Sequence, residues 1–128
     1  MLGHQYRYIA FNNTGVSVNV TVKERPWKFA SDGTRDDGAE VIHLSASAVG
    51  AAAYGPGGAV NNSTTKYLGA HLLFTVAPSA SATGTVALYV QHSTDGGATW
   101  PSNGQGRLIS QASFSASAAA LTADALVR

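Results

Sequence analysis

The sequence predicts an all-β fold: an antiparallel β-sandwich or a jelly-roll-like barrel of about eight short strands. Three observations carry this expectation. Residues 15–23 alternate Val16, Val18, Val20 and Val22 with Ser17, Asn19, Thr21 and Lys23, and a period of two with β-branched side chains marks a half-buried strand. Further short apolar runs recur, separated by clusters of Asn, Gly, Pro and Ser that suit tight turns. No segment sustains a convincing helical period. At 128 residues the chain matches one domain, residues 1–128, large enough to hide about two-thirds of the surface it exposes when unfolded.

Residues 5–11 read as the first strand, and Asn12, Asn13, Thr14 and Gly15 turn the chain into the second, because Asn and Gly tolerate the positive φ that hairpin turns demand. Pro26 cannot donate to a sheet ladder, so the second strand is expected to end or bulge there. Trp27 and Phe29 then form a short continuation with both rings on one face. Residues 31–38 read as a polar loop, and 40–47 as a weak third strand of small side chains. Residues 49–62 read as a long loop with one helical turn in its Ala run, stopped by Gly55, Pro56, Gly57 and Gly58. Long loops in compact domains are often functional, and Tyr54 is the only large side chain in this one. Strands follow at 66–76, 84–93, 107–115 and 119–127. Val86, Leu88 and Val90 share one face of the second of these. The last segment is rich in helix formers as well, but its position suits a closing strand.

Charged residues make up 12% of the chain, against a usual share of about 25%. A surface of small polar side chains suits packing against other protein, since little charge must be desolvated. The net charge of +1 gives no electrostatic footprint for nucleic acid. Lys23, Arg25 and Lys28, interrupted by Glu24, read as a solvated strand edge. No apolar run nears the ~18 residues of a membrane span. The amino terminus lacks a signal-peptide pattern, so synthesis in the cytoplasm of a host is expected. Asn-x-Ser/Thr sequons at Asn12, Asn19, Asn61 and Asn62 then read as products of composition. There is no cysteine, hence no disulfide framework and no thiolate metal site.

One local pattern stands out. Ser93, Asp95, Gly97, Thr99 and Trp100 occupy the fixed positions of S-x-D-x-G-x-T-W. An Asp in a turn accepts hydrogen bonds from nearby backbone N–H groups, Gly97 supplies a backbone angle that a Cβ forbids, and Trp100 can fold back as an apolar plug. The pattern resembles the Asp-box of sialidase-like propellers, where it sits on blade turns away from the catalytic centre. A single copy in 128 residues cannot build a propeller, so it reads as a rigid hairpin. The longer stretch from Leu88 through Trp100, with Pro101, Ser102, Asn103, Gly104, Gln105, Gly106 and Arg107 after it, resembles a segment of small structural proteins of tailed bacteriophages. There, a strand with this signature is followed by a polar loop and another strand. That resemblance implies a virion protein, either a head decoration (cement) protein or a tail component.

Chemistry-bearing clusters are sparse. His4, His43, His71 and His92 lack the spacing of a metal site, and no G-x-S-x-G elbow occurs. Asp36, Asp37 and Glu40 share one loop, where neighbouring carboxylates repel, and lack the ligand ladder of a calcium loop. Gly55-Pro56-Gly57-Gly58 is followed by no Gly-Lys-Ser/Thr, so it is not a phosphate loop. The expectation is a non-enzymatic virion protein with no cofactor, most simply a capsid decoration protein. Its partners are copies of itself in a homo-oligomer and other virion proteins, the major capsid protein among them. Tyr54, Gly55, Pro56 and Trp27 are the expected partner contacts. The alternative is a tail component or a carbohydrate-binding module that recognises a surface glycan, with Tyr54 and Trp27 as stacking platforms.

Overall fold

Alternation along each strand sends one set of side chains inward and the other outward, and two such sheets bury their apolar faces against each other. The computed structural model describes residues 2–102 and 105–128. The strands are β1 (Gln5–Asn13), β2 (Val18–Phe29), β3 (Arg35–Asp37), β4 (Val41–Val49), β5 (Tyr54–Pro56), β6 (Val60–Asn61), β7 (Gly69–Pro78), β8 (Ala82–Ser93), β9 (Arg107–Ser117) and β10 (Leu121–Val127). One sheet has the order β5-β1-β8-β9, with β6 also on β1; the other has the order β10-β7-β2-β3, with β4 also on β2. All these pairings are antiparallel. The first is the β1 sheet and the second the β2 sheet.

The expected sandwich is therefore the observed one. Val18, Val20 and Val22 of β2 meet Tyr8 and Ala10 of β1, Val86, Leu88 and Val90 of β8, and Leu72, Phe74 and Val76 of β7 in one shared core. Each large side chain so buried contributes about 1.5–3 kcal/mol. The sequence pattern predicted the inward positions Val18, Val20 and Val22 of β2 and Val86, Leu88 and Val90 of β8, but not Glu24, which continues the β2 series and is buried as well.

Four expectations need correction. There are ten strands among the described residues, not about eight. Residues 49–62 contain no helical turn: β5 and β6 lie there, both on the free edge of β1. The physical reason is that this edge presents unpaired backbone groups. Ala52 N–H donates to Asn12 O, Asn12 N–H to Ala53 O and Gly57 N–H to Tyr8 O, so the loop is stitched down. The polar loop 31–38 holds β3. Finally, β2 neither ends nor bulges at Pro26. Pro26 O accepts from Gly38 N–H, so its ring nitrogen faces the same edge. That edge is the gap between β4, whose pairing stops at Glu24, and β3, whose pairing starts at Trp27. No ladder donor is lost. The closing segment, for which a helix was the other option, is β10.

Candidate functional site

The hairpin turn at 93–100 is built from side chains bonding to backbone. Ser93 Oγ donates to Asp95 Oδ1 at 2.8 Å, Gly97 N–H donates to Ser93 Oγ at 2.9 Å, and Thr99 N–H donates to Asp95 Oδ1 at 2.9 Å. The Thr99 hydroxyl donates to the other Asp95 oxygen. The Thr99 side-chain and backbone bonds, then the Ser93 bond, hold the Asp95 carboxyl down to about 2. Gly97 has φ 94°, which only glycine adopts freely. Trp100 is half-buried, and the Arg7 guanidinium lies 4.7 Å from its ring centroid. Arg7 Nε also donates to Gln91 Oε1 at 2.9 Å. Gln91 is buried and its Nε2 donates to Gln105 O at 2.6 Å. The turn and its following segment are thus anchored to β1 through Arg7 and Gln91. Asn103 and Gly104, in the stretch that follows the turn, lie outside the described residues.

Tyr54, Gly55 and Pro56 form β5 opposite Phe11, Ala10 and Ile9. The Tyr54 ring stacks on Phe11 with centroids 4.4 Å apart. Cross-strand register then lays Pro56, Ile9, Tyr89 and Leu108 in one row across the outer face of the β1 sheet. Ile9 is fully covered by its neighbours, while Leu108 is 49% exposed. Among the strands of this sheet only Arg7 and Arg107 carry a formal charge, and none carries an acid.

Trp27 is on the other sheet. Its ring meets Phe29 edge to face at 5.6 Å and has the Arg35 guanidinium 5.3 Å away. β5 lies against Val49, which pairs with Val18, and Trp27 is nine residues farther along β2. The two expected aromatic platforms are therefore not brought together.

The outer face of the β2 sheet also carries an open cleft of about 390 Å³. Lys23, Arg25, His71, Leu73 and Asp124 line its floor, and Glu40 with the Arg35–Asp37 ion pair (2.7 Å) lines its rim. No group of three or more His, Cys, Asp or Glu side chains among the described residues is arranged to hold a metal ion.

Between the sheets lies a cluster that the sequence reading did not single out. Glu24 is 1% exposed. Its carboxylate accepts from Tyr6 Oη at 2.8 Å, from the Tyr8 hydroxyl, and lies 3.2 Å from His43 Nε2. Burial, followed by the Glu24 charge, pushes both phenols above their ordinary range, so they remain donors. His43 arrives by a bulge: Val22 pairs with Leu44 and Lys23 with Ile42, leaving His43 as the extra residue. Tyrosines from the β1 sheet and Glu24 with His43 from the β2 sheet thus form one polar joint across the core. The available signal was parity, because Glu24 continues the inward series Val18, Val20, Val22, and Tyr6 and Tyr8 share a face with Ala10.

Comparison with protein-family models, with curated proteins and with solved structures finds no match to this chain.

Proposed function

We propose that this chain is a non-enzymatic structural protein of a tailed-phage particle, a head decoration protein that packs the outer face of its β1 sheet against the shell. The observation that carries this reading is the chemistry of that face. Leu108 stands exposed on that face beside the half-buried Phe11, Tyr54 and Tyr89, and no acidic side chain stands on any strand of the sheet. Covering such a face removes apolar area from water at about 25 cal/mol per Å² and desolvates few charges. The Tyr54–Pro56 strand is already fixed to β1, so docking orders little new chain. A symmetric shell repeats each modest contact many times. Edge strand β9 has Arg107 as its only charge, which leaves it suited to a neighbouring copy of the chain.

The test is electron microscopy of particles from the source culture with a gold-labelled antibody against the chain. Label over heads supports decoration. Label at tails overturns it in favour of a tail component, and particles without label overturn the virion reading altogether. A glycan-recognition role is favoured by one separate observation, the mixed-charge cleft on the opposite face.

A further inference from the structure

We propose that the cleft on the outer face of the β2 sheet is a binding site for an acidic oligosaccharide, a chain of sugars carrying carboxylates. This goes beyond the decoration reading and holds for a head or a tail position alike. The argument starts from strand parity. Lys23 and Arg25 flank the buried Glu24, so both side chains leave the opposite face of β2. Arg25 pairs across the ladder with His71, and Lys23 with Leu73, which in turn pairs with Asp124 on β10. Three nitrogen-bearing side chains, an apolar one and a carboxylate thereby share two adjacent rows. The connection from β3 to β4 brings Glu40 to the rim.

The charges in this cleft are mostly unused. Arg35 is paired with Asp37, but among the described residues Lys23, Arg25, Glu40 and Asp124 have no ion pair within 4.0 Å. An exposed sheet face tolerates such charges but does not need them for packing. A ligand that carries acceptors and donors uses them. Arg25 and Lys23 suit a sugar carboxylate, Glu40 and Asp124 accept from hydroxyls, and Leu73, 48% exposed, offers an apolar surface to a ring's C–H face. The volume of about 390 Å³ is within the ~300–1,000 Å³ of small-molecule sites. A polyphosphate fits worse, since it has no hydroxyls to donate to Glu40 and Asp124 and no apolar ring face for Leu73.

The test is an NMR titration of the isotope-labelled full chain with trigalacturonate, and with maltotriose as the neutral counterpart. The expected result is saturable shifts confined to Lys23, Arg25, His71, Leu73 and Asp124, with maltotriose weaker by about tenfold or more, a difference of ~1.4 kcal/mol. Arg25→Ala weakens trigalacturonate binding by a similar factor. Asp124→Asn also weakens it, whereas for mere attraction of an anion to basic residues, removing an acid would strengthen it. The spectra of both variants report that they remain folded. Absence of saturable shifts, equal shifts around Lys66 and Arg107, equal binding of maltotriose, or tighter binding by Asp124→Asn each overturns the proposal.

Discussion

The two outer faces of this sandwich differ in kind. The strands of the β1 sheet carry Arg7 and Arg107 and no acid, while those of the β2 sheet carry, besides the buried Glu24, Lys23, Arg25, Lys28, Arg35, Asp36, Asp37 and Asp124. Stability does not require this division, because an antiparallel sheet needs only one buried face and tolerates any soluble mixture on the other. A low overall charge conceals it, since averaging the two faces gives a merely sparse surface. The contrast is one of charge: exposed apolar side chains stand on both sheets, Leu108 on the β1 sheet and Phe29, Ile42, Leu73 and Leu126 on the β2 sheet, so the β1 face is the one whose covering desolvates fewer charges.

The largest effect is expected where the two sheets are joined. Glu24→Ala leaves the Tyr6 and Tyr8 hydroxyls and His43 without their shared acceptor. Removing one partner from a buried polar cluster costs about 3–5 kcal/mol, to be read by urea denaturation. Replacing Glu24 by Leu together with Tyr6→Phe and Tyr8→Phe restores part of this loss, because two phenol donors leave with the acceptor while the buried His43 ring still lacks its partner. If Glu24→Ala unfolds at the parent midpoint, the joint contributes nothing.

A smaller and more selective effect separates the faces. Leu108→Lys on the β1 sheet is expected to reduce association with particles by about tenfold or more, with stability changed by no more than ~0.5 kcal/mol, as for most exposed positions. Leu73→Lys on the β2 sheet leaves association unchanged. Co-sedimentation with particles measures both.

Much of this arrangement was readable from residue order. Alternation at Val18, Val20 and Val22 and at Val86, Leu88 and Val90 located the core, and the same parity carried on to Glu24, where its charge drew it instead into a surface stretch with Lys23 and Arg25. The edge strands β5 and β6 were not readable: Gly-Pro-Gly-Gly signals a break, and only the open edge of β1 turns that segment into strand. His43 is inward only because of a bulge, which depends on how β4 registers against β2. The separation of Trp27 from Tyr54 likewise follows from topology, not from either residue's surroundings in sequence.

Smaller still is the anchor of the hairpin. Arg7→Ala removes the stack on Trp100 and the bond to Gln91, and an exposed cation–π contact contributes about 0.5–1 kcal/mol. A thermal melt should show a modest loss. The smallest effect belongs to Asp95. Its carboxyl is held below its unfolded value, so its contribution is fully present above the unfolded value near ~3.9 and fades as the pH falls through about 2. Asp95→Ala should therefore melt slightly lower than the parent at neutral pH, and the difference should close in strong acid. A gap that widened on acidification would contradict the hydrogen-bonded turn.

The most direct test of the division between faces uses a matched pair. Leu108 and Leu73 are 49% and 48% exposed in the free chain, and the sequence contains no cysteine. Leu108→Cys and Leu73→Cys are compared for their rate of maleimide labelling, free and on assembled particles. In the free chain the two should react at similar rates. On particles, Leu108→Cys should become slower by about tenfold or more, as expected for a site closed from water in most copies, while Leu73→Cys keeps its rate. Equal labelling of both on particles, or protection of Leu73→Cys alone, would contradict burial of the β1 face.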